Sequence, residues 1–257
     1  MAGIRLTTSH DSLALGVSAD PGSVSALSLT GGLTVAPVEG RTITFGRNRP
    51  EVDICVGEND LRVSRRHGLL TRQYGQWWVT NTGQLPLRLP SSRWLSSSED
   101  PVPLPDGYTP LFVRSSPRRE HLLELYVAGV DGARPPTRHE AVTQPPRRWR
   151  LTEEERLLMV VLGQRYLLHE AQPQPVARQQ AAEILAELQP DAGWGVKRVE
   201  HMVAAVRKRL SDGGVFGLRR EEVGEPVGNT LNDNLLRELV LSTTIVPPDL
   251  MLLDQLS

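Results

Sequence analysis

Cysteine is almost absent from this sequence, because Cys55 is the only one among 257 residues. A disulfide within the chain is therefore excluded, and cysteines cannot supply the ligand cluster of a structural zinc site. Cys55 stands in the apolar run Ile54-Cys55-Val56, so we expect it to be a small buried hydrophobic side chain. A chain with so little cysteine suits a reducing compartment, and we predict a cytoplasmic protein.

Long apolar runs are also lacking. No stretch approaches the roughly 18 apolar residues that a membrane-spanning helix needs, so we expect no contact with a membrane. Residues 1–20 contain no basic segment followed by an apolar core, and no secretory signal is expected. The formal net charge is only −1, so the chain as a whole is not a binder of polyanions. Its length is sufficient for two modest domains, each with its own core.

Lysine is scarce as well. Of the 29 basic residues, only Lys197 and Lys208 are lysine. Arginine has GC-rich codons, so this preference indicates a bacterium with a GC-rich genome and is no evidence of nucleic-acid binding by itself.

Signatures of catalysis are missing. The sequence has no Walker phosphate loop, no Gly-x-Ser-x-Gly elbow and no kinase signature set. Its six histidines are scattered, and with one cysteine no metal site can be assembled from the sequence. We therefore predict a protein that is not an enzyme, with no catalytic residue, no cofactor and no metal.

Two short motifs carry most of the functional information. Arg47 follows Gly46 in Thr-Phe-Gly-Arg, and Ser64-Arg65 opens Ser-Arg-Arg-His, which ends at His67. Glycine lets the backbone turn tightly beside a bound group. Arginine offers a planar fork of donors that suits phosphate oxygens, and the serine hydroxyl adds another donor. Together these residues predict a site for a dianion.

In these residues the chain resembles a forkhead-associated (FHA) domain, a small all-β sandwich whose members bind phosphothreonine peptides. The resemblance implies that Arg47, Ser64 and Arg65 contact the phosphate and that Gly46 and His67 support the site. It also implies a phosphothreonine-containing partner, either a Ser/Thr kinase or a kinase substrate. FHA proteins abound in actinobacteria, so the resemblance implies a signalling protein of actinobacterial type.

The loop expected to contact the peptide departs from the family pattern. FHA domains usually carry Asn-Gly here, whereas this chain has Asn81-Thr82-Gly83, and Pro86 lacks a backbone donor. Asn81 or Thr82 is the alternative contact in this loop. Two outcomes stay open, namely a phosphopeptide site of altered selectivity and a scaffold whose FHA site is degenerate.

The chain divides into segments of different composition. Residues 1–20 form an N-terminal extension, either frayed or folded as a short extra strand. Over 21–130, short apolar stretches recur between Gly, Pro and Ser clusters, which is typical of a sandwich of many short strands. Tyr74-Gly75 predicts the turn of one hairpin. Residues 131–149 are rich in Pro and Arg and predict a semi-rigid linker.

The second half of the chain is predicted to be helical. The capping box that begins at Thr152 starts a helix that reaches about His169. A second helix ends near Leu188, and a third covers about 196–210 with an apolar residue every three or four positions. Residues 150–220 therefore predict a mainly α domain, followed by an acidic helical tail over 221–257.

The third helix is the candidate nucleic-acid-binding element. Three helices followed by Val215–Leu218, which predicts a short β hairpin, resemble the layout of a helix-turn-helix or winged-helix domain. Cations on the outward side of such a helix would neutralise phosphates. The candidate DNA-binding residues are Lys197, Arg198, His201, Arg207, Lys208 and Arg209. The alternative is an ordinary helical bundle with a solvated basic face.

The sequence as a whole predicts a non-catalytic signalling protein. An FHA module would recognise a phosphothreonine, and a winged-helix-like module would pass that signal to DNA and so regulate transcription. The alternatives are an adaptor whose C-terminal bundle binds a protein and a scaffold with a degenerate FHA site.

Overall fold

A computed structural model describes residues 4–6, 12–116, 119–129, 148–225 and 227–256. The chain divides into two compact units between residues 136 and 137, inside the predicted linker 131–149. Of that linker, only residues 148 and 149 belong to the described ranges.

The first unit is built of short β-strands. In chain order they are β1 (Ile4–Leu6), β2 (Val24–Ser28), β3 (Gly31–Val35), β4 (Thr42–Gly46), β5 (Ile54–Cys55), β6 (Gly68–Gln73), β7 (Gln76–Asn81), β8 (Leu87–Leu89), β9 (Arg93–Leu95), β10 (Val102–Pro103), β11 (Gly107–Ser116) and β12 (Arg119–Val127). They form a seven-stranded sheet in the order β1-β3-β2-β12-β11-β8-β9 and a five-stranded sheet in the order β10-β7-β6-β4-β5. This arrangement is the predicted all-β sandwich.

One continuous core joins the two sheets. Ala26 and Leu125 of the larger sheet share this core with Phe45, Leu70 and Val79 of the smaller sheet, and all five are buried. The sheet neighbours are antiparallel except β4 and β5, which run parallel. Because β5 lies beside the end of β4, the loop after β4 is held close to the sheet edge.

The β6–β7 hairpin shows how sequence pattern becomes structure here. Along β7, Trp77, Val79 and Asn81 are buried, while the residues between them are more exposed, as alternation along a half-buried strand requires. Tyr74 and Gly75 both have positive φ, 54° and 73°, which is the geometry of a two-residue hairpin turn. The turn predicted at Tyr74-Gly75 is confirmed.

The N-terminal extension packs on the first unit. Its described part includes β1, which pairs antiparallel with β3, so the short extra strand is the alternative that the structure takes. Leu13 is buried against Leu27 and Tyr126 of the larger sheet. The Ser12 hydroxyl donates to the Glu124 carboxylate, which ties this segment to β12.

The second unit is helical. Its elements are α1 (Glu153–Leu167), α2 (Arg178–Leu188), α3 (Val196–Asp212), α4 (Thr230–Leu241) and a 3-10 segment (Pro247–Leu256). The run from Leu157 to Gly163 in α1 is buried throughout, because the other helices and the 3-10 segment pack around it. Among the helices in the described ranges, none combines the length and the apolar character needed to cross a membrane.

The described part of the predicted acidic tail, 221–257, packs into the second unit. Leu235 and Leu239 of α4 are buried in the same core as α1 and α3. Acidic side chains of this segment bond within the unit, since Glu238 accepts from the Trp149 indole at 2.9 Å and Asp249 pairs with Arg156 at 3.0 Å. Its apolar residues, more than its charge, place it in the fold.

The predicted hairpin at Val215–Leu218 is wrong. Residues 213–218 form turns, with no strand among them. The backbone groups that a hairpin would use have other partners. The Glu222 carboxylate accepts the N–H groups of Gly217 at 2.8 Å and Leu218 at 3.0 Å, and the Asn234 amide donates to the Gly217 carbonyl at 2.8 Å.

The capping box at the start of α1 is expected to stabilise the helical unit. The Thr152 hydroxyl accepts the Glu155 N–H at 3.2 Å, and the Glu155 carboxylate accepts the Thr152 N–H at 3.0 Å, as predicted for a capping box. Thr152→Ala is expected to lower the free energy of unfolding of this unit by about 1 kcal/mol, measured by denaturant titration. Thr152→Ser keeps the hydroxyl and should stay close to wild type. An alanine variant as stable as the serine variant would contradict the cap's role.

Candidate functional site

The two predicted phosphate-binding motifs meet at one end of the smaller sheet, where β4 ends and β6 begins. The Arg47 N–H donates to the Ser64 carbonyl and the Asn48 N–H to the Arg65 carbonyl, both at 3.2 Å. The His67 N–H donates to the Phe45 carbonyl at 2.8 Å. The loop after β4 and the loop before β6 therefore run side by side with their functional residues adjacent.

Gly46 is required where these two loops approach each other. A Cβ at this position would lie 2.3 Å from the Arg65 carbonyl oxygen and 2.8 Å from the His67 nitrogen. Any other residue would push the loops apart. The close approach of the two loops therefore depends on glycine at position 46.

His67 connects the second motif to the loop after β7. Its ring is fully buried. The Nδ1 atom accepts the Ser64 N–H at 3.1 Å, so the neutral ring carries its proton on Nε2, which lies 2.9 Å from the Leu85 carbonyl. Burial lowers the pKa of His67. The ring is thus a neutral bridge between two loops.

Gly83 is a supporting residue that sequence reasoning missed. A Cβ at Gly83 would lie 2.8 Å from atoms of the His67 ring, so the loop after β7 needs glycine to pass over the imidazole. The glycine stands in Asn81-Thr82-Gly83, one position later than in the Asn-Gly pattern of the family. The glycine at this shifted position is the sequence feature from which its supporting role could have been predicted.

The Ser64 side chain occupies the junction of the three loops. Its Oγ accepts the Gln84 N–H at 3.1 Å, which leaves the hydroxyl proton for another acceptor. The Thr82 N–H donates to the His67 carbonyl at 3.0 Å. The Gln84 N–H therefore orients the Ser64 hydroxyl, which can donate its proton to a ligand on the opposite side.

Asn81 and Thr82 have different positions. Asn81 is buried, and its amide donates to the carbonyls of Leu85 and Leu95, both at 2.9 Å, while its Oδ1 accepts the Gly83 N–H at 2.8 Å. All three bonds hold the loop, so the Asn81 side chain has no spare group for a peptide. Thr82 is exposed.

Arg47 and Arg65 supply the cations of the site. Arg47 is half-buried, and its Nε is buried with no hydrogen-bond partner, which is costly unless a ligand supplies one. Arg65 is exposed, and within the described part of the chain no carboxylate pairs with it. Both guanidinium groups are thus available to an anion, and both belong to the two loops that run side by side.

A buried carboxylate anchors the loop that leads to Ser64. Asp60 lies 2.8 Å from His121 Nε2 and 3.5 Å from Arg119 Nε, and it accepts the Arg62 N–H at 3.1 Å. Burial raises the pKa of Asp60, but hydrogen bonds from Ser115 and His121 outweigh it and lower the pKa to about 2. The loop stays tied to β11 and β12 over the whole neutral range.

The candidate DNA-binding residues on α3 fall into two groups. Arg198 pairs with Glu154 at 2.8 Å and lies over the Trp194 ring at 4.3 Å. Arg209 pairs with Glu155 at 2.8 Å. These two cations stabilise the helical unit, so they are poorly placed to bind an outside partner.

The other α3 candidates differ in exposure. Lys197 and His201 are exposed, and Lys208 is exposed with Asp212 as its ion-pair partner. Arg207 is half-buried, and burial lowers its pKa together with the charges of neighbouring arginines. The structure therefore presents a smaller cationic surface than the sequence pattern indicates.

Comparisons with known proteins concern the first unit. No family model and no curated protein matches the chain. An engineered FHA domain with a Myc-pTBD peptide is similar at 20% identity, covering 42% of this chain and 93% of that one with a TM-score of 0.35. The FHA-1 domain of Mycobacterium tuberculosis Rv1747 is 22% identical over 42% and 97%, with a TM-score of 0.33. The N-terminal FHA domain of S. cerevisiae Rad53p, solved with a phosphothreonine peptide, is 18% identical over 41% and 93%, with a TM-score of 0.34.

The buried imidazole predicts a dependence of stability on pH. The folded-state pKa of His67 lies below its ordinary value of 6.5, so the unfolded chain binds more protons below pH 6.5. The contribution of His67 is fully present above about pH 6.5 and declines as pH falls, by at most about 1.4 kcal/mol per pH unit. Denaturant unfolding of the β-sandwich, followed by resolved NMR signals, should show this loss between pH 7 and pH 5.

The control for this titration is His67→Gln, whose amide does not titrate. This variant starts less stable, because glutamine does not reproduce the bridge between Ser64 and Leu85, and its stability should change less between pH 7 and pH 5. An equal change in both proteins would show that other groups cause the pH dependence.

Proposed function

We propose that the first unit binds phosphothreonine peptides through Arg47, Ser64 and Arg65. The observation that carries this proposal is the pair of adjacent loops that bring together an oriented Ser64 hydroxyl and two cations, for which the described residues supply no carboxylate partner. Charge-assisted bonds from such donors suit a phosphate dianion. Because these residues resemble the FHA motifs, phosphothreonine is the ligand that we propose.

Within this proposal, Thr82 takes the peptide-contacting role and Asn81 does not. The Asn81 amide is fully used inside the loop, whereas Thr82 is exposed beside the Ser64–Gln84 contact. The altered loop gives the site its own selectivity. The scaffold with a degenerate site is the competing account.

Peptide pools with one fixed phosphothreonine test the proposal. The phosphorylated pool should bind in fluorescence anisotropy, and the unphosphorylated pool should not. Arg47→Ala should weaken binding by roughly 2 kcal/mol or more, the range for truncating one member of a desolvated charge pair.

The matched control removes a neighbouring ion pair without changing net charge. Arg49 pairs with Glu58 at 3.1 Å, so the Arg49→Gln/Glu58→Gln variant should bind nearly as wild type. If no phosphorylated pool binds, the scaffold account is correct. If the phosphorylated pool binds both variants equally well, Arg47 is not a phosphate contact and the proposed site is wrong.

For the second unit, we propose that the solvent face of α3 binds DNA and couples phosphopeptide recognition to transcription. Arg207 supports this, because no carboxylate in the described ranges pairs with it. Burial lowers its pKa, and the charges of Arg178 and Arg220 lower it further. Lys197 and His201 are exposed on the same helix. The buried stripe of α3 faces the core, so these side chains are accessible to a partner.

Charge reversal tests the DNA proposal. Lys197→Glu/Arg207→Glu should abolish DNA retention and leave helicity unchanged, and wild-type binding should weaken steeply with salt because phosphate contacts release counterions. Arg198→Gln is the contrasting variant, because its cation is already paired with Glu154 and should matter less for binding. Binding to a protein partner with little salt dependence, and no retention of DNA, would favour the adaptor.

A further inference from the structure

A second pair of arginines lies at the end of the smaller sheet that is opposite to Ser64. β4 and β6 are antiparallel neighbours, so the start of β4 and the end of β6 meet away from the phosphate-binding loops. Arg41 immediately precedes β4, and Arg72 is the second-last residue of β6. A strand rises about 3.3 Å per residue, so Arg41 and Arg47 are roughly 20 Å apart along β4. A ligand at this end therefore does not compete with a phosphate beside Ser64.

The backbone brings these two cations together. The Gly40 N–H donates to the Arg72 carbonyl and the Arg72 N–H donates to the Arg41 carbonyl, both at 2.8 Å. Gly40 has a φ of 76°, and two residues opposite one, with glycine first, is the pattern of a β-bulge. Arg41 and Arg72 are thus cross-strand neighbours, and like charges in that position destabilise a sheet.

The described residues supply no counterion for this pair, because neither Arg41 nor Arg72 forms an ion pair among them. Arg41 Nε is buried without a hydrogen-bond partner, which costs free energy. Glu39 is the carboxylate of the same turn, but its oxygens accept the N–H groups of Tyr74 at 2.6 Å and Gly75 at 3.5 Å. The turn therefore leaves both arginine charges unpaired.

The Arg72 side chain crosses to the larger sheet. A Cβ at Gly22, in the turn before β2, would lie 3.5 Å from Arg72 Nη2. The Trp77 indole N–H donates to the Gly22 carbonyl at 2.8 Å, which fixes that turn against the smaller sheet. Arg41 and Arg72 are both half-buried, so their surroundings restrict them while part of each side chain still reaches solvent. Restricted side chains lose less entropy when a ligand binds.

The neighbouring hairpin turn adds an exposed aromatic side chain. Tyr74 is 90% exposed and Val38 is 60% exposed, so neither contributes much to the core. The φ of Tyr74 is 54°, a left-handed conformation that is costly for a bulky residue and that asparagine adopts more readily. A tyrosine here strains the turn and gains little from packing. Strained residues of this kind are typical of functional surfaces.

We propose that Arg41, Arg72 and Tyr74 form a second docking surface, which binds an acidic segment of a partner protein. This inference does not depend on phosphothreonine binding. Arginine and tyrosine are among the residues that contribute most to protein–protein affinity. The two unpaired charges favour a segment rich in carboxylates, and Val38 beside the tyrosine suits an apolar residue within it. A partner that contacts both ends of the sandwich gains affinity from the linkage of its two segments.

The test measures binding of unphosphorylated peptide pools to the whole chain by fluorescence anisotropy. One pool has a central run of glutamates next to a leucine, and the matched pool has glutamines in place of the glutamates. Wild type should prefer the acidic pool. Arg41→Gln/Arg72→Gln should weaken binding of that pool by roughly two- to fivefold for each arginine. Arg47→Ala should bind it as wild type does, which separates this surface from the candidate phosphate site.

A charge-matched control removes two arginines elsewhere. Arg93 and Arg165 are exposed and form no ion pair within the described ranges, so Arg93→Gln/Arg165→Gln should bind the acidic pool as wild type does. Equal binding of both pools by wild type overturns the inference, and so does the absence of binding. An Arg41/Arg72 variant as tight as wild type, or a control variant that loses as much affinity, also overturns it.

Tyr74→Asn distinguishes a binding role from a structural one. Asparagine suits the left-handed turn, so the free energy of unfolding of the sandwich should stay the same or rise. Binding of the acidic pool should nevertheless fall by about fivefold or more, as is usual when an aromatic anchor is truncated. A Tyr74 variant that binds as tightly as wild type contradicts the proposed surface, and so does one that loses both stability and binding.

Discussion

The buried His67 ring is the constraint on which the candidate site depends. It receives the Ser64 N–H on one nitrogen and faces the Leu85 carbonyl with the other, so one neutral side chain fixes two loops. The third loop, which follows β4, can approach the same junction because Gly46 lies against the Arg65 carbonyl, where a Cβ would clash. None of these contacts involves the side chains that are proposed to bind the phosphate. The geometry is therefore built before a ligand arrives, which lowers the entropic cost of binding.

Whether an arginine pairs with a carboxylate distinguishes the structural arginines from those that are available for binding. In the second unit, Arg198 and Arg209 pair with Glu154 and Glu155 and stabilise the helical core. In the first unit, Arg47 has a buried nitrogen without a partner. An arginine-rich chain can thus carry many cations on its surface while leaving few of them for partners. Counting basic residues in the sequence overestimates the cationic surface for this reason.

Local patterns predicted much of the fold. The capping box at Thr152 and the apolar spacing of α3 placed the helices closely, because both depend on neighbours in the sequence. The use of Asn81 was not predictable, since its partners include Leu95, a residue that only the folded sheet brings near. The hairpin at Val215–Leu218 failed because the side chains of Glu222 and Asn234 take its backbone groups. Hydrogen bonds between side chains and the backbone decide these cases, and hydrophobic periodicity does not report them.

The central claim is that a preformed three-loop junction binds the phosphate group. The most direct measurement is an NMR titration of the protein with a phosphothreonine peptide, with the backbone amides assigned. The account predicts that the amides of Arg47, Ser64, Arg65 and Gln84 shift together, while the His67 ring remains neutral in the same tautomer. Shifts confined to other loops, or a change of the His67 tautomer on binding, would contradict it.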